Sequence, residues 1–121
     1  MAMSWRSAST SDGGNWLVQG EHVLASLELA DGHAGRARGL LGRDGTEGAL
    51  ALVGVRSVHT IGMRFAIDVA FCDDAGTVLR IVTMRPGRLS RVVWRAAVAL
   101  EAEAGSFDRW GVHPGDVLEY R

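Results

Sequence analysis

The sequence predicts a single β-rich domain of the α+β class, built as a curved antiparallel sheet or partial barrel with about two short helices. Its 121 residues are enough for one hydrophobic core and too few for two. Sixteen glycines and only two prolines indicate many tight turns between short elements. Apolar residues recur at every second position in several short runs, which is the periodicity of β-strands.

The clearest predicted strand covers residues 65–72. One face carries Phe65, Ile67, Val69 and Phe71, and the other carries Ala66, Asp68, Ala70 and Cys72. Asp68 is the exception in this apolar run. A buried carboxylate is costly unless it is paired or hydrogen-bonded, so we expect Asp68 to have a fixed partner.

The remaining elements follow from turn and capping signals. Residues 1–14 are rich in serine and glycine, and we expect a flexible segment there, with the single domain covering residues 15–121. The Gly20-Glu21 pair predicts a hairpin, and Asp31 can cap a short helix over residues 31–41. Further strands are predicted at residues 15–19, 22–30, 48–55, 57–63, 77–84, 97–103 and 117–120, with one helical turn at 106–110.

Charge and cysteine content narrow the classes of function. The formal net charge of −1 argues against a general nucleic-acid binder, because phosphate-driven affinity needs a basic surplus. The single cysteine, Cys72, excludes an internal disulfide and favours a reducing compartment. No signal-peptide core and no apolar run of membrane-spanning length is present. We therefore expect a soluble, cytoplasmic protein.

The first candidate cluster consists of Arg38 and Arg43 with Asp68 and Glu101. Arginines near a helix end could form bidentate pairs with strand carboxylates and fix the predicted helix on the sheet. This structural interpretation is favoured over the alternative, in which one arginine stays free to bind an anion.

The second candidate cluster consists of His59 and Thr60, near Asp68 and Cys72. These groups have the ingredients of nucleophilic or acid/base catalysis, but Asp68 and Cys72 are about 13 Å apart along a strand. If the protein is an enzyme, its catalytic groups are predicted to be His59, Asp68 and Glu101. The four histidines show no ligand spacing, so neither a metal nor another cofactor is predicted.

The third candidate is a basic connector at residues 85–95. Between residues 79 and 99 there are five arginines and no acid, with Trp94 among them. Arginine beside an aromatic side chain suits a phosphate, a carboxylate or a base. The alternative interpretation, a flexible solvated loop, is favoured for a charge run of this kind.

Five blocks of the sequence together resemble one known family. They cover residues 34–43, 47–50, 59–68, 100–105 and 111–116. In order and spacing they resemble domain of unknown function 192 (DUF192), a family of small bacterial and archaeal proteins. The glycine-rich, lysine-free composition is similar to its actinobacterial branch. The resemblance implies a compact β-rich domain and no established activity.

The leading hypothesis is a non-enzymatic binding or accessory domain. Its cleft would lie between His59-Thr60, the connector from Arg85 to Trp94 and the helix around Arg38 to Arg43. It would use His59, Thr60, Arg88, Arg91 and Trp94 to bind a small anionic ligand or an acidic protein segment. One alternative is a small hydrolase-like enzyme using His59 with Asp68 or Glu101. Another is a protein-interaction subunit of envelope-associated machinery, with an edge strand that pairs with its partner.

Overall fold

Short strands dominate the computed structural model, which describes residues 3–8, 15–30, 40, 45 and 47–121. The strands are β1 (Asn15–Gln19), β2 (His22–Leu29), β3 (Ala49–Val53), β4 (Ile67–Cys72), β5 (Val78–Met84), β6 (Val98–Glu103) and β7 (Glu119–Tyr120). A 3-10 turn, Trp5–Ser7, precedes β1, and helix α1 (Ser106–Arg109) lies between β6 and β7.

The strands form one curled sheet in the order β5-β4-β6-β3-β2-β1-β7. Every pairing is antiparallel except that of β2 with β3, in which Leu27 lies beside Ala49. Parallel strands need a long crossover connection, and residues 30–48 connect these two strands. The predicted curved, β-rich sheet is confirmed, with one parallel pairing that the sequence analysis did not predict.

Apolar residues cover both faces of the central strands. In β4, Ile67, Val69 and Phe71 pack into one cluster, here called core B, while Ala70 and Cys72 pack into the other, core A. Core A also contains Trp5, Leu17, Leu100, Phe107 and Leu118, and core B also contains Leu40, Leu52, Val58 and Met84. All six residues of β4 are therefore buried.

The N-terminal segment is packed against the sheet between residues 3 and 8. Trp5 is 0% exposed, and its Nε1–H donates to the carbonyl of Leu118 at 3.0 Å. The Asp74 carboxylate accepts from the Ser4 hydroxyl at 2.8 Å and from the Arg6 N–H at 2.9 Å. The serine- and glycine-rich composition predicts a flexible segment over residues 1–14. The structure differs at residues 3–8 because Trp5 buries its ring, while residues 9–14 lie outside the described residues.

The two outer strands are joined at one end. The Val78 N–H donates to the Asp116 carbonyl at 2.8 Å, and the Leu118 N–H donates to the Gly76 carbonyl at 2.9 Å. Thr77 and Val117 form a bridge between these bonds. The start of β5 is thereby tied to the segment that leads into β7, which gives the sheet a half-barrel shape.

Most predicted elements occur close to their expected positions. The β1–β2 hairpin turns at Gly20, which adopts φ 60°, and α1 lies within the predicted helical turn. Strand β4 begins at Ile67 rather than at Phe65, and residues 57–63 form a loop with one bridge, between His59 and Leu89. The predicted helix over residues 31–41 lies outside the described residues, apart from the buried Leu40.

Candidate functional site

A cleft of about 290 Å³ opens between β5 and the chain that follows it. Strand β5 places Arg80, Val82 and Met84 on the core B side, because they pair with Phe71, Val69 and Ile67. The cleft is lined by Arg80, Val82, Thr83, Met84, Arg85, Arg88, Leu89, Ser90 and Arg91. One strand and one connector therefore form its two sides.

Thr60 fixes the first part of the connector. Its side chain is fully buried, and its hydroxyl donates to the Arg85 carbonyl at 2.6 Å. The same oxygen accepts from the Arg88 N–H at 2.8 Å. The Thr60 N–H also donates to the Arg88 carbonyl, and its carbonyl accepts from the Gly87 N–H, both at 2.8 Å. These four bonds hold the turn at residues 85–88 in one arrangement.

Val58 and Ser90 fix the next part of the connector. The Ser90 N–H donates to the Val58 carbonyl at 2.8 Å, and the Ser90 hydroxyl accepts from the Val58 N–H at 2.9 Å. Further along, the Val93 N–H donates to the Arg56 carbonyl at 2.8 Å. Residues 85–93 are thus tied to residues 56–60 at several points, which does not fit the flexible-loop interpretation.

Four arginines supply the charge of the cleft. Arg80, Arg85, Arg88 and Arg91 are all exposed. None of their guanidinium groups forms an ion pair or a side-chain hydrogen bond with another residue in the described part of the chain. Among the described residues that line the cleft there is no carboxylate that could neutralise them. The cleft therefore offers several planar cations that can each bind a carboxylate or phosphate through two hydrogen bonds.

The residues predicted for ligand binding do not all line this cleft. Arg88 and Arg91 line it, whereas His59, Thr60 and Trp94 do not. His59 is exposed beside Leu89, and its Nδ1 accepts from the Ile61 N–H at 3.3 Å. Trp94 is 75% exposed.

Two lining arginines, Arg80 and Arg85, belong to the arginine-rich stretch of the third candidate but not to the five residues predicted to bind the ligand. Arg80 could have been found from its alternation with Val82 and Met84 along β5, because this spacing puts all three side chains on one face.

Asp68 is held by donors from β5 and from the start of α1. It is 3% exposed, and its Oδ1 accepts from the Thr83 hydroxyl at 2.6 Å. Its Oδ2 accepts from the Gly105 N–H at 2.9 Å and from the Phe107 N–H at 3.4 Å. The expected fixed partners of Asp68 are therefore one hydroxyl and two backbone amides.

Glu101 lies on the other face of the sheet from Asp68. It pairs with Val69, a core B residue, whereas Asp68 pairs with Ala102, a core A residue. The sheet thus separates the two carboxylates that the sequence analysis grouped in one ion-pair cluster. Their proposed partners, Arg38 and Arg43, lie outside the described residues.

Cys72 is buried in core A. Burial raises the pKa of its thiol to about 12, and the nearby charge of Asp73 acts in the same direction. A thiol with so high a pKa is a poor nucleophile at neutral pH, as expected of a small apolar filler.

The described residues offer neither a metal-binding cluster nor a membrane-spanning helix. They contain no group of three or more histidine, cysteine or acidic side chains that could hold a metal ion. They also include no helix of the length and apolarity that crossing a membrane requires.

These features define the class of protein: a half-barrel domain with an arginine-lined cleft beside its edge strand. The chain belongs to the DUF192 family, whose model is described as an uncharacterised ACR and matches residues 16–120. The family predicted from the five sequence blocks is thereby confirmed.

Two solved structures have a similar fold. One is a candidate transcription regulator from Sinorhizobium meliloti 1021, with a TM-score of 0.72 and 26% identity, covering 88% of this chain and 92% of that chain. The other is a protein of unknown function from Novosphingobium aromaticivorans, with a TM-score of 0.71 and 22% identity, covering 88% of this chain and 83% of that chain. Among curated proteins, no significant match to this chain is found.

Proposed function

We propose that this protein is a non-enzymatic binding domain whose cleft receives an anionic group, either of a small ligand or of an acidic protein segment. One observation carries the proposal. Four arginines without an ion-pair partner in the described part of the chain line a single cleft, although the formal net charge of the chain is −1. Four of the thirteen arginines of the chain therefore lie around one cleft.

The shape and lining of the cleft support a small anionic group. A volume of about 290 Å³ is at the lower end for ligand pockets. Guanidinium groups can bind its carboxylate or phosphate, while Val82, Met84 and Leu89 can contact its carbon atoms. Because Thr60 already holds residues 85–88, less conformational freedom is lost on binding. In this proposal Thr60 positions the connector, and His59 lies beside Leu89 at the edge of the cleft.

The acid/base alternative lacks comparable support. Catalysis by His59 with Asp68 would need the two side chains to reach one substrate atom. Asp68, however, is buried on the core A side and bound to Thr83, Gly105 and Phe107. The loop that carries His59 packs its Val58 and Met63 into core B, on the other side of the sheet.

Duplex DNA is a second anion to test, because one of the similar structures is described as a candidate transcription regulator. The phosphate groups of DNA could bind the same arginines. A general DNA binder needs a broad basic surplus, and this chain has none. We therefore expect small anions or acidic peptides to bind better than DNA.

A thermal-shift screen tests the proposal. The probes are inorganic phosphate, dicarboxylates, nucleotides, acidic peptides and duplex DNA. A ligand at ten times its Kd adds about 1.4 kcal/mol to the free energy of unfolding, which raises Tm by several degrees in a domain of this size. We expect the shift to be lost in the Arg88→Ala/Arg91→Ala variant and reduced in His59→Ala.

The matched control is Arg56→Ala/Arg95→Ala, which removes the same charge from exposed positions outside the lining. It should keep the shift. The absence of a shift with every anion would refute the proposal, as would an equal loss in both double variants.

A further inference from the structure

Within the part of the chain that the structure describes, the outer backbone groups of β5 are paired only at the beginning of the strand. The N–H and the carbonyl of Val78 bond to Asp116 and Gly115, both at 2.8 Å. Beyond this point β5 is the last strand in the sheet order. In the sheet, β5 pairs with β4. The direction of the hydrogen bonds between the two strands therefore determines which backbone N–H and carbonyl groups of β5 are left without a partner.

Those directions follow from one bond at the start of β4. The Ala66 carbonyl accepts from the Ala104 N–H at 3.2 Å, on the side of β6. Because the backbone N–H and carbonyl groups of successive residues point to opposite sides of a strand, those of Ile67, Val69 and Phe71 point toward β5. These three residues pair with Met84, Val82 and Arg80. The N–H and carbonyl groups of Met84, Val82 and Arg80 therefore point toward β4.

Ile81 and Thr83 lie between those residues, so their N–H and carbonyl groups point away from β4. Neither residue has a backbone hydrogen bond on that outer side within the described ranges. Open strand edges of this kind are templates for pairing with another strand.

The charge beside this edge restricts what can pair with it. Arg80 lies on β5 itself, and Arg85, Arg88 and Arg91 follow in the connector. A second copy of the chain would bring its own β5 arginines against these, and like charges repel. An acidic strand, by contrast, would place its carboxylates near the guanidinium groups of these four arginines.

We propose that the outer edge of β5 accepts an extended acidic segment of a partner protein as an added strand. The inference rests on the proposed function, because the same arginines supply the charge, and it specifies the partner. Side chains of an added strand alternate between the two faces of the sheet. Those on the core B side, beside Arg80, Val82 and Met84, would be acidic, and the residues between them can be apolar or β-branched.

Hydrogen exchange measured by NMR tests strand addition directly. The probe is a peptide of about eight residues that alternates valine with glutamate. When the protein is saturated with this peptide, we expect the amide protons of Ile81 and Thr83 to exchange at least tenfold more slowly. The same peptide with glutamine in place of glutamate should bind at least tenfold more weakly, because the charge contacts are lost.

A second peptide control removes the backbone contacts and keeps the charge. N-methylation of the residues that face β5 should weaken binding at least tenfold if a strand is added. Because this change is made in the peptide, the folding of the protein is not affected.

The outcomes separate this inference from the proposed function. If the glutamate peptide binds and loses affinity in Arg88→Ala/Arg91→Ala, yet Ile81 and Thr83 exchange as before, anion binding stands and strand addition is refuted. If only small anions or DNA bind, strand addition is likewise refuted. If no anion binds, both proposals fail.

Discussion

Asp68 accepts hydrogen bonds from three donors, and this explains a carboxylate in the middle of an apolar strand. Thr83 reaches it from β5, and the amides of Gly105 and Phe107 reach it from the start of α1. One side chain therefore links β4 with the edge strand and with the helix. Such contacts to an ionised group are stronger than those between neutral groups.

Replacing Asp68 with alanine should lower the free energy of unfolding by roughly 2–4 kcal/mol, because buried donors lose their acceptor. Thr83→Val removes one of these bonds and should cost about 1 kcal/mol. Urea denaturation of both variants and of the double variant measures the coupling. An Asp68→Ala protein within about 0.5 kcal/mol of wild type would contradict this role for the carboxylate.

Asp74 should make the stability of the folded protein depend on pH in the acidic range. The Arg6 N–H and the Ser4 hydroxyl lower its pKa from the ordinary 3.8 in the folded state. Because the pKa of Asp74 is lower in the folded state than in the unfolded state, its ionised carboxylate stabilises the protein at pH values above the unfolded-state pKa. This contribution is lost as the pH falls through the folded-state pKa.

The Tm difference between wild type and Asp74→Asn should thus be present at pH 7 and shrink below pH 3.8. Thermal melts across this range measure it. Glu21→Gln, an equal charge change at an exposed turn, should leave Tm nearly unchanged at pH 7. A constant difference between wild type and Asp74→Asn at all pH values would rule out this linkage.

At the scale of elements, the hydroxyl of Thr60 makes two of the four bonds that hold the turn at residues 85–88. Thr60→Val keeps the shape of the side chain and removes its bonds to Arg85 and Arg88. We expect a loss of about 1–2 kcal/mol in stability. We also expect a several-fold loss in anion affinity, because the turn that carries Arg85 and Arg88 keeps only its two backbone bonds to Thr60. Thr60→Ser keeps the hydroxyl and should retain affinity. Titration calorimetry with the best anion of the screen compares the two variants.

The sequence predicts elements better than it predicts the cleft. The alternation around β4 and the Gly20-Glu21 turn are local signals, so strand and hairpin could be predicted. The bonds from Thr60 to Arg85 and Arg88 span 25 and 28 residues, and no local pattern encodes them. The packing of residues 3–8 could not be predicted either. One tryptophan in a polar run does not show which distant carbonyl will accept its N–H.

At the scale of the whole molecule, Gly76 lies where the N-terminal segment, β5 and the C-terminal segment meet. It has φ 92°, and a Cβ added there would clash with the Leu118 carbonyl and crowd the Trp5 ring. Gly76→Ala should therefore destabilise the domain by roughly 3 kcal/mol or more, through strain and steric conflict together.

Gly115→Ala is the control for that prediction. Gly115 has a nearly equal φ of 95°, but an added Cβ there would meet nothing within 4 Å. It should cost only about 1–2 kcal/mol from backbone strain. Chemical denaturation compares the two variants, and equal losses would show that backbone strain alone matters at Gly76.

The pairing of β1 with β7 has a consequence for biosynthesis. Leu17 lies beside Tyr120, and the Trp5 Nε1–H donates to the Leu118 carbonyl, so β1 cannot complete its pairing until residues 118–120 have left the ribosome. Long-range pairing of this kind slows folding to the millisecond-to-second range. Until then the nascent hairpin exposes apolar side chains, and we expect chaperones that bind nascent chains to protect it.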